Sequence, residues 1–234
     1  MKNYRTGCLI CGEELRYFTP SEKLKCERCG EYFETDAVCQ NDHFVCNSCH
    51  SKTGFECLTK HALETTDKNP ISIATKMMNY PQINMHGPEH HYLIVAALLA
   101  AYRNSGGKID LEKCLKNAEQ RAKNVPGGIC GAWGCCGAGI GAGMFISIIQ
   151  NVTPLSKKEW GDANEMTSRS LNTISKHGGP RCCKRNTYLS IFEVITFIET
   201  KMNVKMERTD ALTCSYFNNN PTCKKEKCLF YPDI

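Results

Sequence analysis

GPEHHYLIVAALLAAYRN, residues 87–104, decides what kind of fold this chain makes. Gly87-Pro88 is a helix start, because proline sets φ in advance and lacks an N–H that the first turn would leave unpaired. Gly106-Gly107 is a stop. Between them, Tyr92 to Ala101 is apolar nearly all round, the pattern of a helix covered on every side. The run is too short to cross a bilayer, so it predicts the central helix of a helical core.

Working outward, the same punctuation recurs. Asn69-Pro70 opens a helix through ISIATKMMN, with asparagine as cap. Asp110 caps another, in which Leu111, Cys114, Leu115, Ala118 and Ala122 follow the i, i+3, i+4, i+7 rule; Cys114 reads as a core thiol. A helix from about Ala138 to Gln150 ends at Thr153-Pro154. Ser156 is expected to cap the next, whose apolar face carries Trp160, Ala163, Met166 and Ile174 up to Gly178-Gly179. Pro180 is expected to open the last long helix, with Tyr188, Ile191, Phe192 and Ile195 on one face. No alternating apolar run follows residue 60. The fold class is therefore mainly α: a helical bundle, residues 58–208, preceded by a zinc-ribbon or treble-clef-like zinc-binding module, residues 1–57, and followed by a cysteine-rich tail, residues 209–234, packed on the body.

The module rests on its spacing: Cys8-x2-Cys11, Cys26-x2-Cys29, then Cys39-x3-His43-x2-Cys46-x2-Cys49. Each CxxC knuckle bends the backbone so that two sulfurs face one tetrahedral ion at about 2.3 Å. Eight ligands suit two zinc ions, paired either in sequence or interleaved as a cross-brace. The Cys-His pair comes third, which departs from the RING order and argues against a ubiquitin ligase. His50 and Cys57 are left over. Ions here fold a segment too small for its own core. Tyr17, Phe18, Tyr32, Phe33 and Phe44 are expected to form its small apolar centre, leaving no aromatic and arginine surface for nucleic acid.

Seventeen cysteines among 234 residues would suit a disulfide-rich secreted chain, but MKNYRTGCLI has no apolar segment after its charges. A reducing cytoplasm is expected, where such cysteines bind metal or do thiol chemistry. The formal charge of +5 falls to about +2 once seven thiolates and two dications are included, so charge gives no reason to expect a nucleic-acid partner.

A third signal is PGGICGAWGCCGAGIGAG, 126–143. So many glycines need a reason, either close approach to a ligand or close packing of a helix. Ile129 to Val152 is uncharged and carries overlapping GxxxG pairs, yet its first half is glycine and cysteine and Trp133 lies inside it. It reads as a buried small-residue helix, and no membrane span is expected.

Three helix starts carry His or Cys, where unpaired N–H groups and a partial positive charge lower thiol pKa and attract anions. In HGPEHH, His86, Glu89 and His90 are candidate acid–base groups, with capping by Glu89 as the alternative. In GGPRCCKR, Arg181, Lys184 and Arg185 suit an anionic group, with Cys183 as a reactive thiol. Cys130, one of Cys135 or Cys136, and one of Cys182 or Cys183 make three ligands, the number that leaves one iron of a [4Fe-4S] cluster open. Cys214, Cys223 and Cys228 offer three more thiols, for their own metal or to complete the first site.

Together VCQNDHFVCNSCH (38–50), MHGPEHH, LLAAYRN, VPGGICGAWGCCGA (125–138), GGPRCCKR and the final three cysteines resemble an uncharacterised cysteine-rich domain family of methanogenic archaea and anaerobic bacteria, sometimes joined to class I methyltransferase domains. The resemblance covers essentially the whole chain. It places the glycine-rich motif's cysteines on Cys130 and Cys136, and it implies an anaerobic setting. The expectation is an iron–sulfur enzyme of desulfuration or sulfur transfer acting on a small anionic or sulfur-containing substrate. The alternative is a metal-stapled adaptor or electron carrier serving a methyltransferase or redox partner.

Overall fold

The computed structural model describes residues 7–209 and 211–233. It is mainly helical with one small sheet. β1 (Leu15–Lys25) and β2 (Tyr32–Cys39) pair antiparallel, Leu15 opposite Cys39 and Lys25 opposite Tyr32, with an irregularity between Tyr17 and Glu22. The helices are α1 (Asn47–Glu64), α2 (Pro70–Met78), α3 (Glu89–Asn104), α4 (Leu111–Lys123), the single turn α5 (Ile129–Ala132), α6 (Gly137–Ile149), α7 (Lys158–His177) and α8 (Cys183–Met202). A tail with two 3₁₀ turns, 217–219 and 225–227, follows.

α3 is the axle. Every residue from Tyr92 to Ala101 is buried, and α1, α2, α4, α6 and α8 all pack on it. At about 1.5–3 kcal/mol for each large apolar side chain removed from water, Tyr92, Leu93, Ile94, Val95, Leu98 and Leu99 make this helix a large contributor to the stability of the bundle. Its neighbours arise from the expected local signals. Asn69 Oδ1 accepts from Ile71 N and Ser72 N at the start of α2, and Asp110 Oδ1 accepts from Lys113 N at the start of α4.

α6 explains half of the glycines. A Cβ at Gly139 would strike Leu171 of α7, one at Gly141 would strike Ile94 of α3, and one at Gly143 would strike Thr167 of α7. Helix α6 therefore lies close against two helices at once, which only a stripe without side chains permits. Among the described residues, no helix is long and apolar enough to cross a membrane.

Several local expectations change. Ser156 does not cap α7; its hydroxyl accepts from Thr153 N and closes the preceding turn. Pro180 does not open α8. That helix begins at Cys183, and the Cys182 sulfur caps it by accepting from Arg185 N at 3.5 Å. Trp160 stands half exposed at 50%. In the hairpin, Tyr17 and Tyr32 are each 59% exposed, so they do not form a small core, and Phe33 keeps only a ring contact with Phe44. Helix α1 runs without a break through residue 57, from the last ligands into the core, where Phe55, Leu58 and Ala62 are buried.

Candidate metal centres and the cavity beside them

The ligands of the N-terminal module interleave. Cys8, Cys11, Cys39 and His43 form one group and Cys26, Cys29, Cys46 and Cys49 the other, each with its ligand atoms within 4.8 Å of one another. Cys11 and Cys39 sulfurs are 3.8 Å apart, Cys29 and Cys46 sulfurs 3.9 Å, and His43 Nδ1 lies 3.3 Å from Cys11 Sγ. A tetrahedral ion with sulfurs at about 2.3 Å holds them about 3.8 Å apart, so the donor set fits a metal in both places.

The topology follows from the hairpin. β1 leaves the first knuckle and enters the second, and β2 returns from the second to Cys39, beside the first. Backbone amides then point at sulfurs: Ile10 N to Cys8 and Arg28 N to Cys26, both at 3.4 Å, and Cys46 N to Cys26 at 3.3 Å. Burial opposes ionisation of Cys26, but the amides of Cys46, Cys29 and Arg28 outweigh it and hold this thiol at about 6.

The module is tied to the body by a residue that spacing alone left unassigned. His50 Nδ1, one turn into α1 and next to Cys49, lies 3.3 Å from Glu89 Oε2 at the start of α3. Glu89 is completely buried, and its other oxygen accepts from Asn84 N at 2.9 Å and Asn84 Nδ2 at 3.2 Å. Burial alone would raise this carboxyl; the His50 contact and then His90 reverse that, leaving it at about 2. Gly87 has no Cβ because one would occupy the place of this carboxylate. Glu89 therefore joins two parts of the fold and does not reach the cavity described below.

His90 is likewise buried, with Nε2 donating to the Asn84 carbonyl at 3.0 Å. Lys184 is buried too, and its Nζ donates to the same carbonyl at 3.1 Å and lies 3.3 Å from His90 Nε2. Burial and then the Lys184 charge push His90 down to about 3. Arg185 donates to Asn186 Oδ1, Gly178 O and Pro180 O, bracing the turn before α8.

Between the module and the bundle lies a cavity of about 990 Å³. His86, Cys130, Cys136 and Arg181 line it, with Tyr17 and His50 from the module side. The glycine-rich loop makes one wall. Gly128 and Gly134 have φ of 83° and 64°, which only glycine adopts without strain, and a Cβ at Gly131 would meet nothing within 4 Å. His86 Nε2 is 3.3 Å from Asn220 Oδ1, while its buried Nδ1 has no hydrogen-bond partner. Burial, then the Arg181 charge, pushes His86 down to about 4, so it is neutral at pH 7. Arg181 Nη2 donates to Tyr17 OH at 3.3 Å and lies close enough to Cys183 and Cys130 to feel their charge.

Each vicinal cysteine pair divides. Cys136 lines the cavity and accepts from Asn186 Nδ2 at 3.3 Å, whereas Cys135 is not among the lining residues. Cys183 interacts with Cys136 and Arg181; burial raises its thiol to about 12 against a backbone bond from Gly87. Cys182 points elsewhere, into a second, smaller cavity that it lines with Cys214, Cys223 and Cys228. Cys130 and Cys136 thus line the large cavity and Cys182, Cys214, Cys223 and Cys228 the small one, while Cys183 lines neither but lies close enough to Cys136 to feel its charge. Asn84, Asn186 and Asn220, which orient the histidine and sulfur atoms, gave no sequence signal, because asparagine without a motif reads as loop.

No curated protein and no solved structure matches the chain. Residues 58–231 match a family of unknown function (DUF5714), a span that takes in the whole bundle and tail and leaves the interleaved module outside, and the chain belongs to that family.

Proposed function

We propose that the protein is an iron–sulfur enzyme of anaerobic metabolism that removes or transfers sulfur on a small anionic substrate. In this reading two zinc ions brace the N-terminal module, and Cys130, Cys136 and Cys183 hold a [4Fe-4S] cluster at the wall of the large cavity. The observation that carries it is the company these thiols keep: Cys130 and Cys136 share the cavity wall with a cation, Arg181, and a neutral imidazole, His86. A cluster held by three cysteines keeps one iron free of protein ligands, and that iron supplies a soft position for sulfur.

The chain's own groups have separate tasks. Arg181 offers a planar pair of donors to a carboxylate or phosphate on the substrate. His86, uncharged and with Nδ1 unpaired, is the group in this reading that accepts a proton from the substrate thiol. The loop around Gly131 leaves room for the ligand, and Tyr17 of the hairpin holds Arg181 in place from the module side.

Two variants of the anaerobically prepared full chain test this. Arg181→Gln is expected to keep iron and sulfide contents while losing about 10- to 100-fold in kcat/KM for sulfide release from thiolated carboxylic acids and thiolated nucleotides. His86→Asn is expected to lose activity with a changed pH profile. Wild-type protein that carries its iron and releases no sulfide from any of these substrates would contradict the proposal.

A further inference from the structure

We infer that Cys182, Cys214, Cys223 and Cys228 hold a second iron–sulfur cluster, coordinatively complete and separate from the substrate cavity. Four cysteines from two distant stretches line one small cavity, three from the tail and one from the N-terminus of α8. The tail reaches it because Cys214 N donates to Phe230 O and the Tyr216 side chain is buried against α2, donating to Thr75 O.

The sulfurs are dressed as in the two N-terminal groups. Tyr216 N donates to Cys214 Sγ and Lys225 N to Cys223 Sγ, both at 3.3 Å, the same i+2 amide geometry seen at Cys8 and Cys26. Arg185 N serves Cys182 Sγ. Amides aimed at sulfur stabilise thiolate rather than thiol. Cations stand near them, since Lys184 feels Cys182 and Cys214 and Arg185 lines the same cavity. Such surroundings suit a group with net negative charge, as four thiolates on a cluster have.

Spacing selects the kind of metal. Among the described residues only the two N-terminal groups bring three or more ligand atoms within 4.8 Å of one another. The four residues share a cavity, yet no three of their sulfurs lie within 4.8 Å of one another, whereas sulfurs on a single zinc stand about 3.8 Å apart. A cubane places iron between its cysteines and needs that wider spacing. With all four irons ligated by protein, this centre has no position for substrate.

The test uses the full chain, purified and reconstituted without oxygen. The Cys214→Ser/Cys228→Ser double variant is expected to lose about four iron and four sulfide relative to wild type while keeping its zinc. Unchanged iron in the folded variant, or loss of zinc in its place, overturns the inference. A readout without substitution is alkylation of the wild-type chain: Cys182, Cys214, Cys223 and Cys228 are expected to be blocked together and to become reactive together when iron is chelated. Labelling of any of them while iron is retained, or blocking that survives iron removal, overturns it too. Loss of iron here with none lost from Cys136→Ser would sink the substrate-cavity reading and leave this one standing.

Discussion

At the scale of single residues, the unexpected finding is where Glu89 and His90 lie, buried at the start of α3 and away from the large cavity. HGPEHH offered three acid–base candidates, and only His86 lines the cavity. The first turn of a helix entering a core points side chains in different directions, and sequence does not say which direction is wet. Glu89 instead meets His50, leftover by ligand counting. Replacing a fully buried carboxylate removes the acceptor of Asn84 N and Nδ2 and the group facing His50, so Glu89→Gln is expected to cost about 1–3 kcal/mol in urea denaturation and to speed chelator stripping of the Cys26 group. Equal stability in the two proteins would remove the tie.

The buried imidazoles also set a pH response. An exposed histidine titrates near 6.5, but His90 and His86 in the fold do so at about 3 and 4. As pH falls below 6.5 the unfolded chain takes up these protons first, so stability declines through that window. Glu89 adds its loss lower, between its ordinary 4.5 and about 2. His90→Gln is expected to flatten the decline of the urea midpoint between pH 7.5 and 5. An unchanged decline would show that His90 is not the buried neutral group described.

At the scale of elements, helix existence was legible and helix starts less so. Capping by Asn69 and Asp110 needs only a side chain and the next turn, so local sequence suffices. The start of α8 depends on Cys182 as cap and on Arg185 bracing a turn, and Pro180 alone misplaces it. The glycine stretch divides into two jobs that no spacing rule separates, cavity wall before residue 136 and helix packing after it. Gly141→Leu is therefore expected to cost about 1–3 kcal/mol through overpacking against α3, whereas Gly131→Ala, with open space at its Cβ, should be nearly silent. Similar Tm values for the two variants would contradict the packing described.

At the scale of the whole molecule, which side chains could hold a metal was readable and how they group was not, because grouping depends on where the hairpin returns. The interleaved arrangement makes a prediction that sequential pairing reverses. Cys11→Ser/Cys39→Ser should lose about one zinc and Cys11→Ser/Cys29→Ser about two, since the first pair shares a site and the second does not. That Cys182 and Cys183 face apart follows from helix geometry, but which of them meets the small cavity depends on how α8 is docked.

The central claim is the cluster at the cavity wall, and metal content tests it most directly. Iron, zinc and acid-labile sulfide per chain should be measured together in anaerobic wild type, Cys136→Ser and Cys183→Ser, with helical content checked by circular dichroism. The account predicts that each variant stays folded, keeps its zinc and loses about four iron with an equal amount of sulfide. Iron and sulfide undiminished in both variants would contradict it.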